Sequence, residues 1–224
     1  MKHKIITFGE LMLRLSPDNN ERFTQAHSYE AVYGGGEANT AVSLANFNVN
    51  VSYVTKLPEH TIGQSAVNSL RQYGVGVEHI VRGGEQIGIY FLEKKTSQRP
   101  TNVIYNRKGS AFALANVDDF DWDSIFADAT WFHFSGITAI SDNMAQITLL
   151  ACKKAKERGI TISCDLNYRS KLWSSEKANK VMSEICKYVD ICIANEDDAV
   201  GIFGLDASNS DKEKNSYIAE ELIK

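Results

Sequence analysis

Residues Tyr33–Ala41 read YGGGEANTA, three consecutive glycines that lead directly into a segment with helical spacing. Because glycine has no Cβ, this backbone can adopt positive φ angles and approach a ligand closely. The predicted helix, Ala38–Phe47, offers unpaired N–H groups and a partial positive charge at its start, which suit a polyol or an anion. Asn39 adds an amide to the same turn. The pattern alone is weak evidence, so a plain turn between two elements is the competing interpretation.

The composition is typical of a globular protein with one large domain. The chain has 224 residues, of which 43% are hydrophobic and 23% charged, and its formal net charge is −4. This charge, without any run of lysine or arginine, argues against a nucleic-acid partner. No apolar stretch approaches the length of a membrane span, and the N-terminus enters a strand pattern rather than a signal peptide. We therefore expect a cytoplasmic protein without a membrane partner.

The four cysteines predict neither a disulfide nor a zinc site. They are widely spaced and form no C-x-x-C pair. Cys164 and Cys192 lie in apolar runs that resemble strands, where a buried free thiol is the expected state.

The second half of the chain alternates strand and helix. Strands are predicted over 131–136, 160–165 and 189–194, and helices over 142–158, over 175–188 and from Glu196. This alternation predicts a parallel sheet covered on both faces, with ligands beyond the carboxyl ends of its strands. Polar clusters fall at three of these ends, at Ser135-Gly136, Asp165–Arg169 and Asn195–Asp198. Three in succession are better evidence for a site than any one.

A different pattern lies between these halves. Gly88–Glu93 and Asn102–Arg107 resemble two strands joined by a polar loop, which predicts a β-hairpin that projects from the main sheet. After it comes an acidic linker that is predicted to be a solvated surface run, with Asp118, Asp119, Asp121 and Asp123.

Four stretches together resemble the ribokinase-like (PfkB) carbohydrate kinases, and most closely the members that act on a 2-keto-3-deoxy sugar acid. The first signature is similar to Gly35–Ala41, and the closer match rests on Tyr105–Ala111, His133–Thr138 and Asp165–Arg169 with Leu172–Ser174 after it. The resemblance covers the chain from end to end. It implies a single α/β domain over 1–224, a three-layer α/β/α sandwich with a small β-sheet lid. The lid strands would come from about 10–16, 28–34 and 86–108.

The resemblance also implies ATP-dependent phosphorylation of a primary hydroxyl, with ATP and Mg²⁺ as cofactors and a small-molecule sugar acid as substrate. Gly34, Gly35 and Asn39 would bind substrate hydroxyls, the tyrosines of the lid would close over the sugar, and arginines would pair with its carboxylate or the phosphoryl group. By similarity the substrate residues are Gly34, Gly35, Asn39, Tyr90, Tyr105, Arg107 and Arg169. Asn167, Asn195 and Asp198 would contact the cofactor, with Asp198 as the metal ligand.

Each assignment has a structural alternative. Tyr90 and Tyr105 would also serve as ordinary cross-strand partners, and Arg107 as a solvated surface charge. His133 is expected to be a core or hydrogen-bonded histidine, and Asp165 to hold its loop rather than act on substrate.

The sequence departs from the family at two places. The family's later D-T-x-G-A-G-D motif, whose last aspartate is the catalytic base, is not found, so the base is expected beyond Lys224. The fold therefore resembles one truncated at the C-terminus, and we expect this chain alone to lack turnover. The family's N-x-x-E motif is represented by Asn195 and Asp198, one methylene shorter.

Other functions remain open at this point. A truncated, non-catalytic sugar-acid-binding protein and another PfkB kinase, such as a fructokinase or ribokinase, fit the same residues. A dinucleotide-dependent oxidoreductase is disfavoured, because the glycines do not form G-x-G-x-x-G after the first strand. Exposed lid edges also predict a homodimer or higher homo-oligomer.

Overall fold

The computed structural model describes residues 3–205 and 214–223, and a parallel sheet lies at the centre of this part of the chain. Its six strands follow the order β10-β9-β8-β1-β4-β5. Every pairing between them is parallel. The strands are β1 (Lys4–Phe8), β4 (Asn50–Leu57), β5 (Ile80–Arg82), β8 (Trp131–Ser135), β9 (Thr161–Asp165) and β10 (Ile191–Ile193). The parallel sheet predicted from strand–helix alternation is confirmed.

Helices cover both faces of this sheet. They are α1 (Gly36–Asn46), α2 (Thr61–Arg71), α3 (Trp122–Ile125), α4 (Asp142–Glu157), α5 (Ser175–Ile185), α6 (Glu196–Phe203) and α7 (Lys214–Ile223). On β4, Tyr53 packs in one hydrophobic cluster with α1 and α2, whereas Val54 packs in the other with α3 to α6. Neighbouring strand residues point to opposite faces, so the two clusters lie on opposite sides of the sheet. This arrangement is the expected three-layer α/β/α sandwich.

A second, smaller sheet has mixed pairing. Its order is β3-β2-β6-β7, formed by β2 (Met12–Pro17), β3 (Tyr29–Gly34), β6 (Ile89–Glu93) and β7 (Asn102–Asn106). β6 and β7 are antiparallel, which confirms the predicted hairpin, and β2 pairs in parallel with β6. The outer strands β3 and β7 carry exposed apolar side chains, including Ile104 at 50% exposure. The homo-oligomer expected through these edges stays a prediction.

The glycine-rich turn differs from its expected conformation. None of Gly34–Gly36 has a positive φ angle, and Gly35 is extended with φ −176° and ψ 154°. Close packing is what requires glycine here, since a Cβ on Gly35 would lie 2.2 Å from the carbonyl oxygen of Glu10. Left-handed glycines occur instead after three helices, at Gly74, Gly159 and Gly204.

The acidic linker is only partly the predicted surface run. Asp119 pairs with Lys56 at 2.6 Å and is partly buried. Phe120 and Trp122, between the aspartates, and Phe126, just after them, are buried, and Trp122 packs edge-to-face on Phe8 with 5.1 Å between ring centroids. The linker therefore covers the core, because its apolar residues alternate with its charges.

The prediction for the cysteines is right for Cys164 and wrong for Cys192. Cys164 is fully buried on β9, whereas Cys192 is exposed on β10, and both are free thiols. β10 is the edge strand of the sheet in the described part of the chain, which explains the exposure of Cys192.

Candidate functional site

The start of α1 brings three predicted substrate residues together. Gly34 ends β3, and a Cβ there would lie 3.7 Å from Asn39 Oδ1 and 3.9 Å from the Tyr90 hydroxyl. Asn39 is held in the first turn of α1 by a 2.8 Å hydrogen bond from its N–H to the Gly35 carbonyl. An amide and a phenol hydroxyl thus converge on one side of the turn, where they can bind the hydroxyls of a sugar.

The two predicted lid tyrosines face each other across the hairpin. Tyr90 on β6 pairs directly with Tyr105 on β7, and their ring centroids are 6.1 Å apart. They are therefore cross-strand partners, as the structural alternative held, and they also border the site. Burial raises the pKa of Tyr90, with Arg14 opposing it, so the phenol remains a hydrogen-bond donor at neutral pH.

Arg107 is not a solvated surface charge. Its side chain is 11% exposed, and Nη2 lies 2.5 Å from Oε2 of Glu10, which is itself buried. Arg107 follows the last residue of β7, two positions after Tyr105, so its ion pair with Glu10 lies at the end of that strand. Glu10 was not among the site residues predicted from the sequence. A charged residue directly after a buried parallel strand is the pattern that could have identified it.

A polar cleft of about 530 Å³ lies between the small sheet and the ends of β9 and β10. It is lined by Val103, Tyr105, Tyr168, Arg169, Ser170, Lys171, Asn195, Asp197 and Asp198. Arg169 is exposed, and its Nη1 donates to the Tyr168 carbonyl at 2.9 Å. The cleft thus places two cationic side chains, Arg169 and Lys171, beside the lid residue Tyr105. Such a surface can accept a carboxylate or a phosphate.

The loop after β9 is fastened by two carboxylates. Asp198 Oδ1 accepts the Tyr168 N–H at 2.7 Å, and Asp165 accepts the N–H of Asn167. Asn167 has a left-handed backbone with φ 42°, a conformation that asparagine tolerates better than most residues. Burial raises the pKa of Asp165, and the neighbouring Asp198 adds to that rise. The expectation that Asp165 holds its loop agrees with these contacts.

Three predicted cofactor residues lie along this loop and at the start of α6. A Cβ on Gly36 would lie 3.8 Å from Asn167 Nδ2, so this amide is close to the glycine-rich turn. Asn195 and Asp198 form a reciprocal capping box at the start of α6, with hydrogen bonds of 2.8 and 3.2 Å. The Asn195 amide and the Asp198 carboxylate are therefore engaged in structure as well as lining the cleft.

The residues present fit a nucleotide phosphate better than a metal ion. Both oxygens of Asp198 accept backbone N–H groups, and among the described residues no group of three or more His, Cys, Asp or Glu side chains could hold a metal. Arg169 and Lys171 offer the charge that a phosphate needs. The assignment of Asp198 as a Mg²⁺ ligand stays a prediction.

A buried polar network supports the turn from below. Glu37, in the first turn of α1, is 4% exposed, and its Oε1 accepts hydrogen bonds from Ser135 and from Thr138. A Cβ on Gly9 would overlap the Glu37 carboxylate, so β1 approaches α1 closely here. This network anchors α1 to the carboxyl ends of β1 and β8.

His133 is a hydrogen-bonded core residue, as expected. It is 9% exposed, and its Nδ1 lies 2.9 Å from Ser163 Oγ, which also accepts the Trp131 indole N–H at 2.8 Å. Burial lowers the pKa of His133, although Glu37 and Asp165 oppose this effect.

We expect His133 to make the fold sensitive to acid. A histidine whose pKa is lowered in the folded state stabilises fully above its unfolded pKa of about 6.5, and this contribution is lost as the pH falls below that value. The melting temperature of the wild type should therefore fall more steeply between about pH 7 and 5 than that of His133→Asn. Burial also lowers the pKa of His79, so His79→Asn measures how much a histidine outside this network contributes to the same slope. Equal slopes for wild type and His133→Asn would contradict the prediction.

The predicted substrate residues form one connected region, although they do not all line one cavity. Gly34 and Asn39 border a second cavity of about 450 Å³ against α1 and α2, whereas Tyr105 and Arg169 line the polar cleft. The paired tyrosines connect the two regions, and the contact between Gly35 and Glu10 connects the turn to Arg107.

Comparison with known proteins identifies the family. Residues 2–223 match the model of the pfkB family carbohydrate kinases. A 2-dehydro-3-deoxygalactonokinase of Haloferax volcanii is 38% identical over 209 residues, which are 92% of this chain and 65% of the relative. The crystal structure of a 2-dehydro-3-deoxygluconokinase from Thermotoga maritima is 46% identical, with a TM-score of 0.93, and the match covers 98% of this chain and 68% of that one.

A more distant structure shares the fold. It is a sugar kinase from Pyrococcus horikoshii in complex with ATP, 24% identical with a TM-score of 0.81, and the match covers 89% of this chain and 66% of that one. The chain thus spans about two thirds of the length of the relatives it matches. No helix in the described residues is long and apolar enough to cross a membrane. The match over nearly the whole sequence shows that this chain belongs to the pfkB family of carbohydrate kinases.

Proposed function

We propose that the full-length protein functions as an ATP-dependent kinase of 2-keto-3-deoxygluconate, and that the region of this chain between the glycine-rich turn, the lid tyrosines and the polar cleft binds the sugar acid. The product would be the 6-phosphate. The observation that carries this proposal is a pair of arginines near Tyr105. Arg107 follows it by two positions at the end of β7, and Arg169 lines the same cleft as Tyr105. A neutral sugar needs no such pair, whereas a carboxylate and a transferred phosphate both do.

The polar groups suit the rest of the ligand. Asn39 and Tyr90 lie together at Gly34, where hydroxyl groups of the sugar would be bound. The names of the Haloferax and Thermotoga relatives support a keto-deoxy sugar acid as the substrate class. Family membership supports ATP as the phosphoryl donor, with the phosphates bound near Arg169 and Lys171. ATP supplies the phosphoryl group, and these two residues would bind and orient it.

Binding is the primary test, because it measures recognition of the sugar acid separately from turnover. Titration calorimetry of this chain should detect 2-keto-3-deoxygluconate and show much weaker binding of fructose and ribose, which lack the carboxylate. The epimer 2-keto-3-deoxygalactonate should be titrated in the same way, because the Haloferax relative is named as a kinase of that sugar acid. Binding of fructose or ribose in preference to both sugar acids would contradict the proposal. ADP release by the full-length protein with both ligands present would further separate a kinase from a non-catalytic sugar-acid-binding protein.

We expect Arg169→Ala to weaken sugar-acid binding by roughly 10- to 100-fold, the usual value of a charge-assisted hydrogen bond. Lys171→Ala is the matched control, since it removes the same charge from the same cleft. If the two cations acted only through their charge, both substitutions would weaken binding equally. A specific contact predicts a change of less than about threefold for Lys171→Ala.

A further inference from the structure

Glu10 connects the central sheet to the lid through a single carboxylate. It lies just beyond β1 and is 5% exposed. Its Oε1 accepts a 2.5 Å hydrogen bond from Ser110 Oγ, and its Oε2 lies 2.5 Å from Arg107 Nη2. Both partners are about a hundred positions further along the chain. A buried acid is costly unless it is paired, so this geometry is strongly constrained.

The backbone around Glu10 is shaped to receive it. A Cβ on Gly88 would lie 2.4 Å from Glu10 Oε1, and one on Gly35 would lie 2.2 Å from the Glu10 carbonyl oxygen. One of these glycines precedes the lid hairpin and the other is the middle glycine of the glycine-rich turn. The carboxylate therefore sits where the lid, the turn and β1 meet.

The arginine that Glu10 holds has an unused donor. Within the described residues, Arg107 Nη1 is buried and has no hydrogen-bond partner. A buried unpaired donor is unfavourable in the free protein, and a ligand that accepts a hydrogen bond from it removes that cost. The planar guanidinium can bind one carboxylate through Nη2 and leave its other edge for a second anion.

We infer that Glu10 is a positioning residue for the sugar acid, which holds the Arg107 guanidinium so that Nη1 stays unpaired until the ligand carboxylate accepts a hydrogen bond from it. This inference rests on the proposed function. Two effects of Glu10 oppose each other. Its negative charge repels the ligand, whereas its contact fixes an otherwise flexible side chain. The Glu10 carboxylate lies 2.5 Å from Arg107 Nη2 inside the protein, and the bound ligand would lie further from it. Because coulombic energy falls with distance, the attraction of Glu10 to the guanidinium outweighs its repulsion of the ligand.

The first test needs no ligand. In the wild type, Arg107 should react slowly with phenylglyoxal, as followed by peptide mass spectrometry. In Glu10→Gln it should react several-fold faster, because the amide lacks the charge that holds the guanidinium. Arg158, whose ion pair with Asp123 is exposed, provides an internal reference in the same sample. An unchanged rate at Arg107 would overturn the positioning role, whatever the ligand.

The second test uses sugar-acid affinity in a double-mutant cycle. Glu10→Gln should weaken binding of 2-keto-3-deoxygluconate about tenfold or more in the wild type. It should have no further effect in the Arg107→Met background, since Glu10 acts through Arg107. An equal loss of affinity in both backgrounds would mean that Glu10 has a merely structural role. Tighter binding by Glu10→Gln would mean that repulsion between Glu10 and the ligand dominates. Either result overturns the inference.

The two proposals fail in different ways. If the wild type does not bind the sugar acid, the proposed function fails and Glu10 has no role in binding it. The modification rates then still show whether Glu10 holds Arg107. If the wild type binds and the cycle shows no coupling, only the role of Glu10 fails.

Discussion

Replacing Arg107 with alanine is expected to destabilise the fold as well as to weaken sugar-acid binding. The substitution leaves the Glu10 carboxylate buried without its cation, and breaking a buried ion pair in this way costs about 3–5 kcal/mol. For a chain of this size the melting temperature should fall by roughly 6–20 °C. From the sequence, the same substitution would have been expected to leave the fold intact, because Arg107 was expected to be accessible.

The matched control for Arg107→Ala is Arg158→Ala. Arg158 Nη2 also lies 2.5 Å from a carboxylate, that of Asp123, but both side chains are substantially exposed, at 32% and 61%. Exposed pairs contribute little to stability, so this variant should melt within a few degrees of the wild type. Similar losses in both variants would show that burial of the Glu10–Arg107 pair has no special cost.

The pH dependence of Arg107→Ala gives a further check on the same cause. Burial raises the pKa of Glu10, and Arg107, Ser110 and Glu37 also act on it, with Arg107 the strongest opposing influence. Without Arg107 the folded-state pKa should rise further. A carboxyl with a raised pKa stabilises the fold below its unfolded pKa and loses that contribution as the pH rises through its folded pKa. The loss of stability in Arg107→Ala should therefore be smaller near pH 5 than near pH 8. Adding Glu10→Gln to this variant should restore part of the lost stability.

Gly35→Ala is expected to disrupt the candidate site more than an alanine at either of the other two glycines of the glycine-rich turn. The new Cβ would lie 2.2 Å from the Glu10 carbonyl oxygen, and this neighbour is backbone that cannot rotate away. Overpacking of this kind costs about 1–3 kcal/mol, and more where the backbone resists. Because Glu10 must shift, Arg107 loses its partner, and sugar-acid affinity should fall about tenfold or more, as for Glu10→Gln.

The adjacent glycine provides the control. A Cβ on Gly36 would meet nothing closer than Asn167 Nδ2 at 3.8 Å, and this residue is the first of α1. Alanine is favoured over glycine in helices by up to about 1 kcal/mol, so Gly36→Ala should be as stable as the wild type or slightly more stable. Circular dichroism melts of the two variants measure the difference. A loss of stability in Gly36→Ala equal to that in Gly35→Ala would contradict the argument from close packing.

Much of the fold could be read from the sequence. Strand and helix periods in 131–203 are strong and local, so they predict a parallel sheet with covered faces. The hairpin was equally visible, because its two strands are close in sequence and pair directly. The acidic linker was harder to interpret, since its charges concealed the alternating aromatic residues that fill the core beside Phe8.

By itself, therefore, the sequence determined the α/β architecture, the family and the chemical types of the candidate site residues, because local periodicity and short motifs specify these. Tertiary structure alone decided that Glu10 holds Arg107, that Asp198 caps α6 while fastening the loop at Tyr168, and that Gly35 is required for space rather than for a positive φ angle. Each of these facts depends on a contact between groups far apart in the chain. The burial that turns Arg107 from a surface charge into half of an ion pair exists only after the lid packs against the end of β1.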